Sequence, residues 1–332
     1  MTKKVLVTGA AGFIGSQLIH NLQSLGHQVL GCDIVSLEGV SPQEVDPVLV
    51  RLRKERLAEF VTRSGIEYVQ LDIGQGEAFA QVLTRWQPDT VVHLAAQAGV
   101  RHSMQAPLDF VTPNLVGFAR VLDACHRHQT PRLLYASSSS VYGLRNQVPF
   151  VETDRTDQPQ SFYAATKQAN EAMAYAYHAQ YGMGSIGMRF FTVYGPWGRT
   201  DMAPFMFAQS MRRQQAIKVF GEGKLQRDFT YVSDIVEAIS KLVAPGETLK
   251  TPKIVNMGHQ RPVEVNTFVA LLAKHLGVQP IIEYAPMQPA DVALTCASEE
   301  RLLSMIGDWS DTTLDQGLGH FVKWLQTWDP IP

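Results

Sequence analysis

The sequence predicts an α/β protein built on a doubly wound parallel sheet of the Rossmann type, with a smaller C-terminal α/β domain. A glycine-rich turn, Gly9–Gly15, follows a short apolar strand and opens a helix. Strand-like apolar runs and helical patterns then alternate five times. Beyond Pro196 this alternation ends. We therefore expect one domain over residues 1–195, with contributions from roughly 225–260, and a second domain mainly over 196–332.

Composition narrows the functional class. At 332 residues and 45% hydrophobic, the chain can bury a large core. A net charge of -2 argues against nucleic acid or an acidic membrane as partner. The three cysteines are far apart and lack metal-ligand spacing, which favours a reduced cytoplasm without a metal site. No apolar run is long enough to span a membrane, so we expect a cytoplasmic protein.

The first strand, Val5–Thr8, and its glycine turn predict a dinucleotide site. Gly9 permits the tight turn, Gly12 lets the backbone approach a pyrophosphate, and Gly15 lets the helix pack closely on its strand. The helix is expected to run through about Leu25. A phosphate would meet the exposed N–H groups at its start.

The second strand, Gln28–Asp33, ends in an acid 18 residues after Gly15. Asp33 would accept hydrogen bonds from the adenosine ribose hydroxyls and would repel a 2′-phosphate. NAD is therefore the expected cofactor, in preference to NADP.

The third strand is predicted at Glu67–Asp72, after a loop and an amphipathic surface helix over 35–65 whose charge run, Arg51–Phe60, is interpreted as a solvated face. Asp72, at the strand end where ligands of such sheets lie, could reach the adenine amine.

The fourth strand is predicted at Asp89–Ala96, a nearly continuous apolar run. The small residues at its end, Ala95 and Ala96, let a cofactor lie against the backbone. His93 is interpreted as a core histidine. The expected cofactor contacts are Gly9, Gly12, Phe13, Ile14, Gly15, Asp33, Asp72, Ile73, Leu94, Ala95, Ala96, Tyr163 and Lys167.

A long helix through about His126 precedes the fifth strand, Leu133–Ser138, and then the stretch Tyr163-Ala-Ala-Thr-Lys167. Residues four apart share a helix face, so Tyr163 and Lys167 can point at one reacting centre. A phenol titrates near ~10 and is a poor base at neutral pH unless a cation stabilises the phenolate. Taken alone the pair is weak evidence, because any long helix carries such a spacing.

Together with the glycine turn, these motifs resemble the extended short-chain dehydrogenase/reductase superfamily, and within it the UDP-glucuronate 4-epimerases. The segments that carry the narrower resemblance are His93–Arg101, Ala136–Gly143, Arg189–Arg199 and Arg227–Val232. The chain departs from many relatives at Ile34, Thr200 and Ser233, where they carry Asn, Pro and Asp.

The resemblance implies tightly held NAD, a UDP-uronic acid as substrate, and Ser138, Tyr163 and Lys167 as the catalytic trio. It also implies a homodimer formed through two helices per subunit, for which 105–127 and 161–181 are the candidates.

The serine run, Ser137–Ser140, distinguishes close relatives from one another. Relatives that dehydrate carry Asp-Glu at the positions of Ser139 and Ser140, and those that decarboxylate UDP-glucuronate carry Glu at the position of Ser140. Oxidised at C4, a uronic acid is a β-keto acid that loses CO2 readily, so its carboxylate must be pinned. Arg199 offers a bidentate fork, with Thr192 and the serines as further donors. Alternatively, Arg199 is a surface residue of a Gly/Pro loop.

Three further substrate contacts are expected. Phe220 would lie against uracil, Arg227 would neutralise the pyrophosphate, and Asp291 would contact a nucleotide ribose on grounds of resemblance alone. The alternative is that Phe220 and Phe229 belong to the core, which we prefer for Phe229. The expected substrate contacts are Ser138, Ser139, Ser140, Thr192, Arg199, Phe220, Arg227 and Asp291.

The sequence therefore predicts NAD-dependent 4-epimerisation of UDP-glucuronate to UDP-galacturonate through a transient 4-keto sugar. Three alternatives stay open: a 4-epimerase of neutral UDP-hexoses, a UDP-glucuronate decarboxylase, and a non-enzymatic nucleotide-sugar-sensing scaffold.

Overall fold

The structure is a computed structural model that describes residues 2–35, 47–145, 147–244, 249–288 and 291–329. The chain divides into two compact units. The first unit consists of Met1–Gly143, Arg155–Phe190 and Ala238–Val255, and the second of Leu144–Asp154, Phe191–Glu237 and Asn256–Pro332.

The regular elements follow one another along the chain. The strands are β1 (Lys4–Thr8), β2 (Gln28–Asp33), β3 (Glu67–Gln70), β4 (Thr90–His93), β5 (Arg132–Ser138), β6 (Ser185–Phe190), β7 (Thr192–Tyr194), β8 (Ile217–Phe220), β9 (Gln226–Tyr231), β10 (Lys253–Met257), β11 (Pro262–Glu264) and β12 (Ile282–Ala285). The α-helices are α1 (Phe13–Ser24), α2 (Pro47–Arg56), α3 (Ala78–Trp86), α4 (Val100–Gln105), α5 (Gly117–Arg127), α6 (Phe162–Tyr181), α7 (Ala203–Arg212), α8 (Val232–Val243), α9 (Val265–Leu276), α10 (Glu300–Ile306) and α11 (Leu314–Trp328).

The first unit contains the predicted doubly wound sheet, with strand order β10-β6-β5-β4-β1-β2-β3. The pairs β1–β2, β1–β4, β2–β3, β4–β5 and β5–β6 are all parallel. Strand order reverses between β1 and β4. In open α/β sheets this switch point is where ligands bind, outside the carboxyl ends of the strands. The predicted fold class is confirmed.

The strands of this sheet are apolar because they lie in the core. β1 and β4 are buried along almost their whole length, as expected of parallel strands covered on both faces. On one face, Leu83 of α3 and Phe118 and Leu122 of α5 are almost fully buried in one apolar cluster. Burial of this size, about 1.5–3 kcal/mol per large apolar side chain, stabilises the sheet that carries the site.

Two predicted elements are shorter than expected. The fourth strand ends at His93 instead of Ala96, because the Ala95 N–H donates to Thr8 Oγ1 at 3.1 Å and leaves the ladder. The helix expected over 105–127 is instead a 3₁₀ turn (Pro107–Phe110), a π-helical turn (Val111–Val116) and α5, and the preceding α4 already ends at Gln105. Two prolines within it lack the N–H that a continuous α-helix requires.

The charge run Arg51–Phe60 is not a fully solvated face. Arg56 is only 2% exposed, and its Nη1 donates to the carbonyl of Ala11 in the glycine turn at 3.2 Å. A buried guanidinium needs such partners. The helix also does not continue as an α-helix, since α2 passes into a π-helical turn at Leu57–Thr62.

The second unit is a smaller α/β structure. Its three-stranded sheet has the order β11-β9-β7, and β8 pairs with β12 in parallel. Helix α11 begins with a capping box between Thr313 and Gln316. Its aromatic side chains pack with Phe205 of α7, at ring-centroid distances of 6.4 Å to Trp324 and 5.8 Å to Trp328.

The boundaries of the units differ from the sequence-based division. Residues 144–154 and 191–237 belong to the second unit, whereas only 238–255 of the later segments belong to the first. The reason lies in strand pairing. β9 pairs with β7 and β11 instead of joining the large sheet. No helix of the described ranges is long and apolar enough to cross a bilayer.

Candidate active site

The glycine turn forms a cradle of backbone at the switch point. Gly9 has a φ of +75°, and a Cβ there would lie 2.7 Å from the Ala95 N and 2.9 Å from the Leu94 carbonyl carbon. A Cβ on Gly15 would lie 2.1 Å from the Gly9 oxygen. Any side chain at either position would therefore push the turn away from the end of β4 or from α1.

The start of α1 is suited to an anion. Gly12 is the N-cap and provides no side-chain cap, and the first helical hydrogen bond runs from Ser16 N to Gly12 O at 3.1 Å. The N–H groups of Phe13, Ile14 and Gly15 precede that bond and lie at the positive end of the helix dipole. These groups fit the pyrophosphate of a dinucleotide.

Asp33 lies beside this cradle at the end of β2. Its Oδ2 accepts the Ala11 N–H at 2.9 Å, so the glycine turn orients the carboxylate. Burial raises the pKa of Asp33, while Arg53 and the neighbouring backbone N–H groups oppose that rise. Asp33 occupies the position from which an acid contacts the adenosine ribose.

The ends of β3 and β4 hold the other expected cofactor contacts. Asp72 accepts the Gly74 N–H at 2.8 Å and the Gln75 side-chain amide at 2.7 Å, and so caps a turn. Ile73 is buried. Leu94, Ala95 and Ala96 follow β4, and the backbone of Leu94 and Ala95 lies directly beside Gly9.

His93 is a satisfied core histidine, as predicted. It is 5% exposed, and its Nδ1 lies 2.8 Å from Thr8 Oγ1. Burial and the charge of Lys167 lower the pKa of His93 to about 3, so the imidazole is neutral. Thr8 Oγ1 also accepts the Ala95 N–H, so one hydroxyl links His93 to the end of β4.

Ser138, the serine expected to be catalytic, caps a turn with its own neighbours. Ser138 ends β5, and its Oγ accepts hydrogen bonds from the Ser140 N–H at 3.2 Å and the Ser140 hydroxyl at 2.9 Å. A 3₁₀ turn, Ser139–Tyr142, follows. With both bonds accepted, the proton of the Ser138 hydroxyl is the group left for donation to a ligand oxygen.

Helix α6 carries Tyr163 and Lys167 on one face, as the spacing predicts. The helix is capped by Ser161, whose hydroxyl accepts the Ala164 N–H at 3.1 Å. Lys167 is 3% exposed, its Nζ lies 5.9 Å from the centroid of the Tyr163 ring, and it donates to Ala136 O at 2.9 Å. Burial lowers the pKa of Lys167 to about 8.

The structure therefore brings Tyr163 and Lys167 together and places Lys167 against the strand that ends in Ser138. The Ala136 carbonyl that holds Lys167 is two residues before Ser138 on the same strand. A cation beside a phenol favours the phenolate, and a hydroxyl donor favours negative charge on a nearby oxygen. The arrangement can remove a proton from an alcohol and stabilise the oxygen that becomes a carbonyl.

In the second unit, Thr192 begins β7 and Arg199 follows in the loop after β7. Arg199 holds Asp201 through two bonds, Nε to Oδ1 at 2.9 Å and Nη2 to Oδ2 at 2.6 Å. Trp197, in the same loop, has a φ of +63°, and its ring lies 5.3 Å from that of Trp324. Such a left-handed residue persists only where surrounding packing holds it.

The remaining expected contacts also lie in the second unit. Arg227 on β9 donates to Val292 O at 2.7 Å, which places its guanidinium next to the segment of Asp291. Phe220 ends β8, and Lys218 Nζ lies 5.6 Å from the centroid of its ring. Phe229 is partly buried and stacks on the buried Phe268 with ring centroids 4.8 Å apart, so it packs against the core without being enclosed by it.

Sequence reasoning missed several residues behind the site. Glu171 accepts hydrogen bonds from Ser137 and Arg189, and Arg56 supports the glycine turn. A signal for Glu171 was present, because it lies four residues after Lys167 on the same helix. Arg56 gave no such signal within its charge run.

Comparison with known proteins decides the family. The model of the NAD dependent epimerase/dehydratase family matches residues 5–258. The chain belongs to this family.

Curated relatives support a narrower assignment. The chain is 39% identical to Protein CapI of Staphylococcus aureus, over 97% of this chain and 98% of that protein. It is 37% identical to the probable UDP-glucuronate 4-epimerase of Rhizobium meliloti, over 97% and 96%. The predicted resemblance to UDP-glucuronate 4-epimerases is thereby confirmed.

A solved structure of another protein has the same fold along nearly the whole chain. The UDP-glucuronic acid 4-epimerase from Bacillus cereus, in complex with UDP-glucuronic acid and NAD, matches with a TM-score of 0.87 and 27% identity, over 98% of this chain and 99% of that chain. The predictions of an NAD-dependent enzyme, a 4-epimerase and hence an isomerase, are confirmed. The scaffold alternative is set aside.

Proposed function

We propose that the protein interconverts UDP-glucuronate and UDP-galacturonate by inverting C4 through a transient 4-keto sugar. The observation that carries the proposal is the chemistry around Ser138. Its side chain is engaged by the amide and hydroxyl of Ser140, and a third hydroxyl, Ser139, begins the same turn. None of these groups is a carboxylic acid that could drive elimination from a ketone, so return of the hydride is the favoured exit.

The residues of the first unit would act as follows. Tyr163, kept as phenolate by the Lys167 ammonium, removes the proton from the C4 hydroxyl, and Ser138 donates to the oxygen as it becomes a carbonyl. Bound NAD, which the glycine turn and Asp33 fit, would supply the oxidant for C4 and the hydride for its return. Return to the opposite face inverts the centre without net redox change, and Tyr163 gives its proton back.

We further propose the substrate contacts of the second unit. Arg199 binds the uronate carboxylate with Thr192 as a further donor, because a planar fork matches a carboxylate. Ser139 and Ser140, which lie in the first unit, are proposed as further substrate donors. Arg227 neutralises the pyrophosphate, Phe220 lies against uracil and Asp291 contacts a ribose. Two similar proteins, the probable UDP-glucuronate 4-epimerase of Rhizobium meliloti and the UDP-glucuronic acid 4-epimerase of Bacillus cereus, support a UDP-uronic acid as the substrate that these residues would bind.

One observation favours a second candidate, a 4-epimerase of neutral UDP-hexoses. The Arg199 fork already holds the carboxylate of Asp201. An enzyme of neutral sugars would need no fork for a substrate acid, and the pair would then be structural.

The deciding experiment incubates the purified protein separately with UDP-glucuronate, UDP-glucose and UDP-xylose and resolves the products by chromatography. We expect UDP-galacturonate from the first and at most slow conversion of the others. Epimerisation of UDP-glucose alone would establish the neutral-hexose alternative, and a pentose product with CO2 from UDP-glucuronate would establish decarboxylation. Tyr163→Phe should lower turnover by about 10²–10⁴-fold yet keep the cofactor.

We also propose a homodimer. Apolar side chains of the two predicted helix regions are exposed in the described chain, among them Leu108 at 79% and Tyr175 at 64%. Their burial against a second copy would remove apolar surface from water. Light scattering on the purified protein gives the mass directly, and a monomer at all concentrations would contradict the proposal. A cytoplasmic location stays a prediction.

A further inference from the structure

A buried ion pair lies behind the catalytic helix of the first unit. Arg189 on β6 donates to Glu171 on α6 twice, from Nε to Oε1 at 2.9 Å and from Nη2 to Oε2 at 2.7 Å. The side chains are only 4% and 12% exposed. Two parallel charge-assisted bonds set both the distance and the orientation of the two groups.

The Glu171 carboxylate also holds the strand that carries the catalytic serine. Ser137, next to Ser138, donates from its hydroxyl to Glu171 Oε1 at 2.6 Å. On α6, Glu171 lies four residues after Lys167 and therefore on the same face. One carboxylate thus links the end of β5 to the helix of Tyr163 and Lys167.

Arg189 reaches the turn beyond the catalytic serine as well. Its guanidinium carbon lies 4.7 Å from the centroid of the Tyr142 ring, at the end of the turn Ser139–Tyr142. A guanidinium over an aromatic face is attracted by the ring. The same arginine therefore contacts both sides of the segment that contains Ser138.

The charges of Arg189, Glu171 and the titratable side chains around them balance. Glu171 and Arg189 cancel each other, and His93 is neutral because burial lowers its pKa to about 3. Burial and the Glu171 charge raise the pKa of Tyr135, so this phenol is neutral too. Lys167 then keeps the pKa of about 8 that burial alone causes. An unpaired Glu171 one turn away would favour the protonated forms of its neighbours.

We propose that Arg189 and Glu171 form a charge-neutral brace, defined by these two residues, that positions Ser138, Tyr163 and Lys167 and keeps the phenolate available at neutral pH. Both are positioning residues that act through Ser137, the end of β5 and α6. The proposal rests on the proposed roles of Tyr163 and Lys167.

The test compares Glu171→Gln, Arg189→Gln and the double variant, each loaded with NAD. The ionisation of Tyr163 is followed by phenolate absorbance, as the difference between each variant and the same variant carrying Tyr163→Phe. Glu171→Gln leaves a positive charge and should move the midpoint about one unit to lower pH. Arg189→Gln leaves a negative charge and should move it about one unit to higher pH. The double variant should return close to the original midpoint.

Turnover gives the second readout. The acid limb of the pH–kcat profile should follow the absorbance midpoint in each variant, because the phenolate is the base. Arg189→Lys keeps the charge but loses the fork. It should leave the midpoint in place while lowering kcat about tenfold, since small displacements of reacting groups are costly. Glu59→Gln, which breaks the exposed ion pair with Arg63, is the matched control and should change neither.

The possible outcomes distinguish failure of the brace from failure of the proposed function. Equal midpoints in both single variants, or shifts in the same direction, would overturn the brace. Should Arg189→Gln not fold, Glu171→Gln and Arg189→Lys still decide, since only the former should move the midpoint. The absorbance measurement needs no substrate. A wild-type protein that forms no epimer therefore refutes the proposed function, whereas unmoved midpoints refute the brace.

Discussion

Two arginines of this chain hold a carboxylate in the same two-point geometry, one in each unit. Arg189 holds Glu171 in the first unit at 2.9 and 2.7 Å, and Arg199 holds Asp201 in the second at 2.9 and 2.6 Å. Their surroundings differ. The side chains of the first pair are 4% and 12% exposed, whereas those of the second are 27% and 58% exposed.

This difference in exposure implies different roles. A buried pair cannot lose one partner without leaving an uncompensated charge out of water, so it acts as permanent structure. An exposed pair has a small net free energy, so another carboxylate can replace its acid at little cost. We therefore interpret Arg189–Glu171 as positioning structure and Arg199–Asp201 as an exchangeable site in which Asp201 stands where a substrate carboxylate would bind.

The largest effect should come from breaking the buried pair. Arg189→Gln should lower the free energy of unfolding by about 3–5 kcal/mol, because Glu171 is left as an unpaired buried acid. Denaturant unfolding of the NAD-free protein measures this. The double variant with Glu171→Gln should recover part of the loss. A loss below about 1 kcal/mol would put this pair in the same class as the exposed one.

Removing the exposed arginine should affect recognition instead of stability. Arg199→Ala should lower kcat/KM for UDP-glucuronate by about 10- to 100-fold, as expected for loss of a hydrogen-bonded charge contact. Stability should change by less than about 1 kcal/mol. Any activity on UDP-glucose should be nearly unchanged. Equal losses on both substrates would contradict the carboxylate role of Arg199.

A smaller effect is expected from Asp201. Asp201→Asn removes the internal acid that occupies the Arg199 fork, so the KM for UDP-glucuronate should fall by about two- to fivefold. Arg261, in the same unit, forms an exposed pair with Asp311, and Asp311→Asn is the control with no expected change in KM. An increase in KM would show that Asp201 orients the fork and does not compete for it.

The smallest effect requires no mutation. Burial lowers the pKa of Lys167 to about 8, so the ammonium that we propose supports a Tyr163 phenolate is lost as pH rises through that value. We expect turnover of UDP-glucuronate to fall about twofold near the alkaline midpoint and further above it. A pH–kcat profile with constant ionic strength measures this. Unchanged turnover up to pH 10 would separate the phenolate from Lys167.

Most of the fold was predictable, since the signals are local. The turn after β1 needs glycine because Gly9 has a positive φ and Gly15 touches its backbone, and such requirements are visible in the sequence. The long apolar period predicts one continuous helix before α5, but two prolines within it lack the N–H groups that an uninterrupted α-helix requires. The path of β9 depended on distant pairing that no local pattern encodes.

The residues of the candidate site also fall into those that local sequence predicts and those that tertiary packing brings together. Tyr163 and Lys167 were predictable because helical spacing alone places them together. Glu171 and Arg189 lie 18 residues apart on different elements, and their pairing depends on how α6 packs beside β6. The charge run around Arg56 was predicted to be solvated, and this prediction is wrong for Arg56. A run of charges predicts solvent exposure on average, but one of its members lies under the glycine turn.

The sequence by itself determined the dinucleotide turn, the Tyr-Lys spacing and the hydroxyl side chains around Ser138, because each depends on residue type and on contacts within a few positions along the chain. Only the tertiary structure decided which charges are paired and how deeply they are buried. Burial is set by elements that meet from distant parts of the chain, and burial determines whether an arginine–carboxylate pair is permanent structure or an exchangeable binding site.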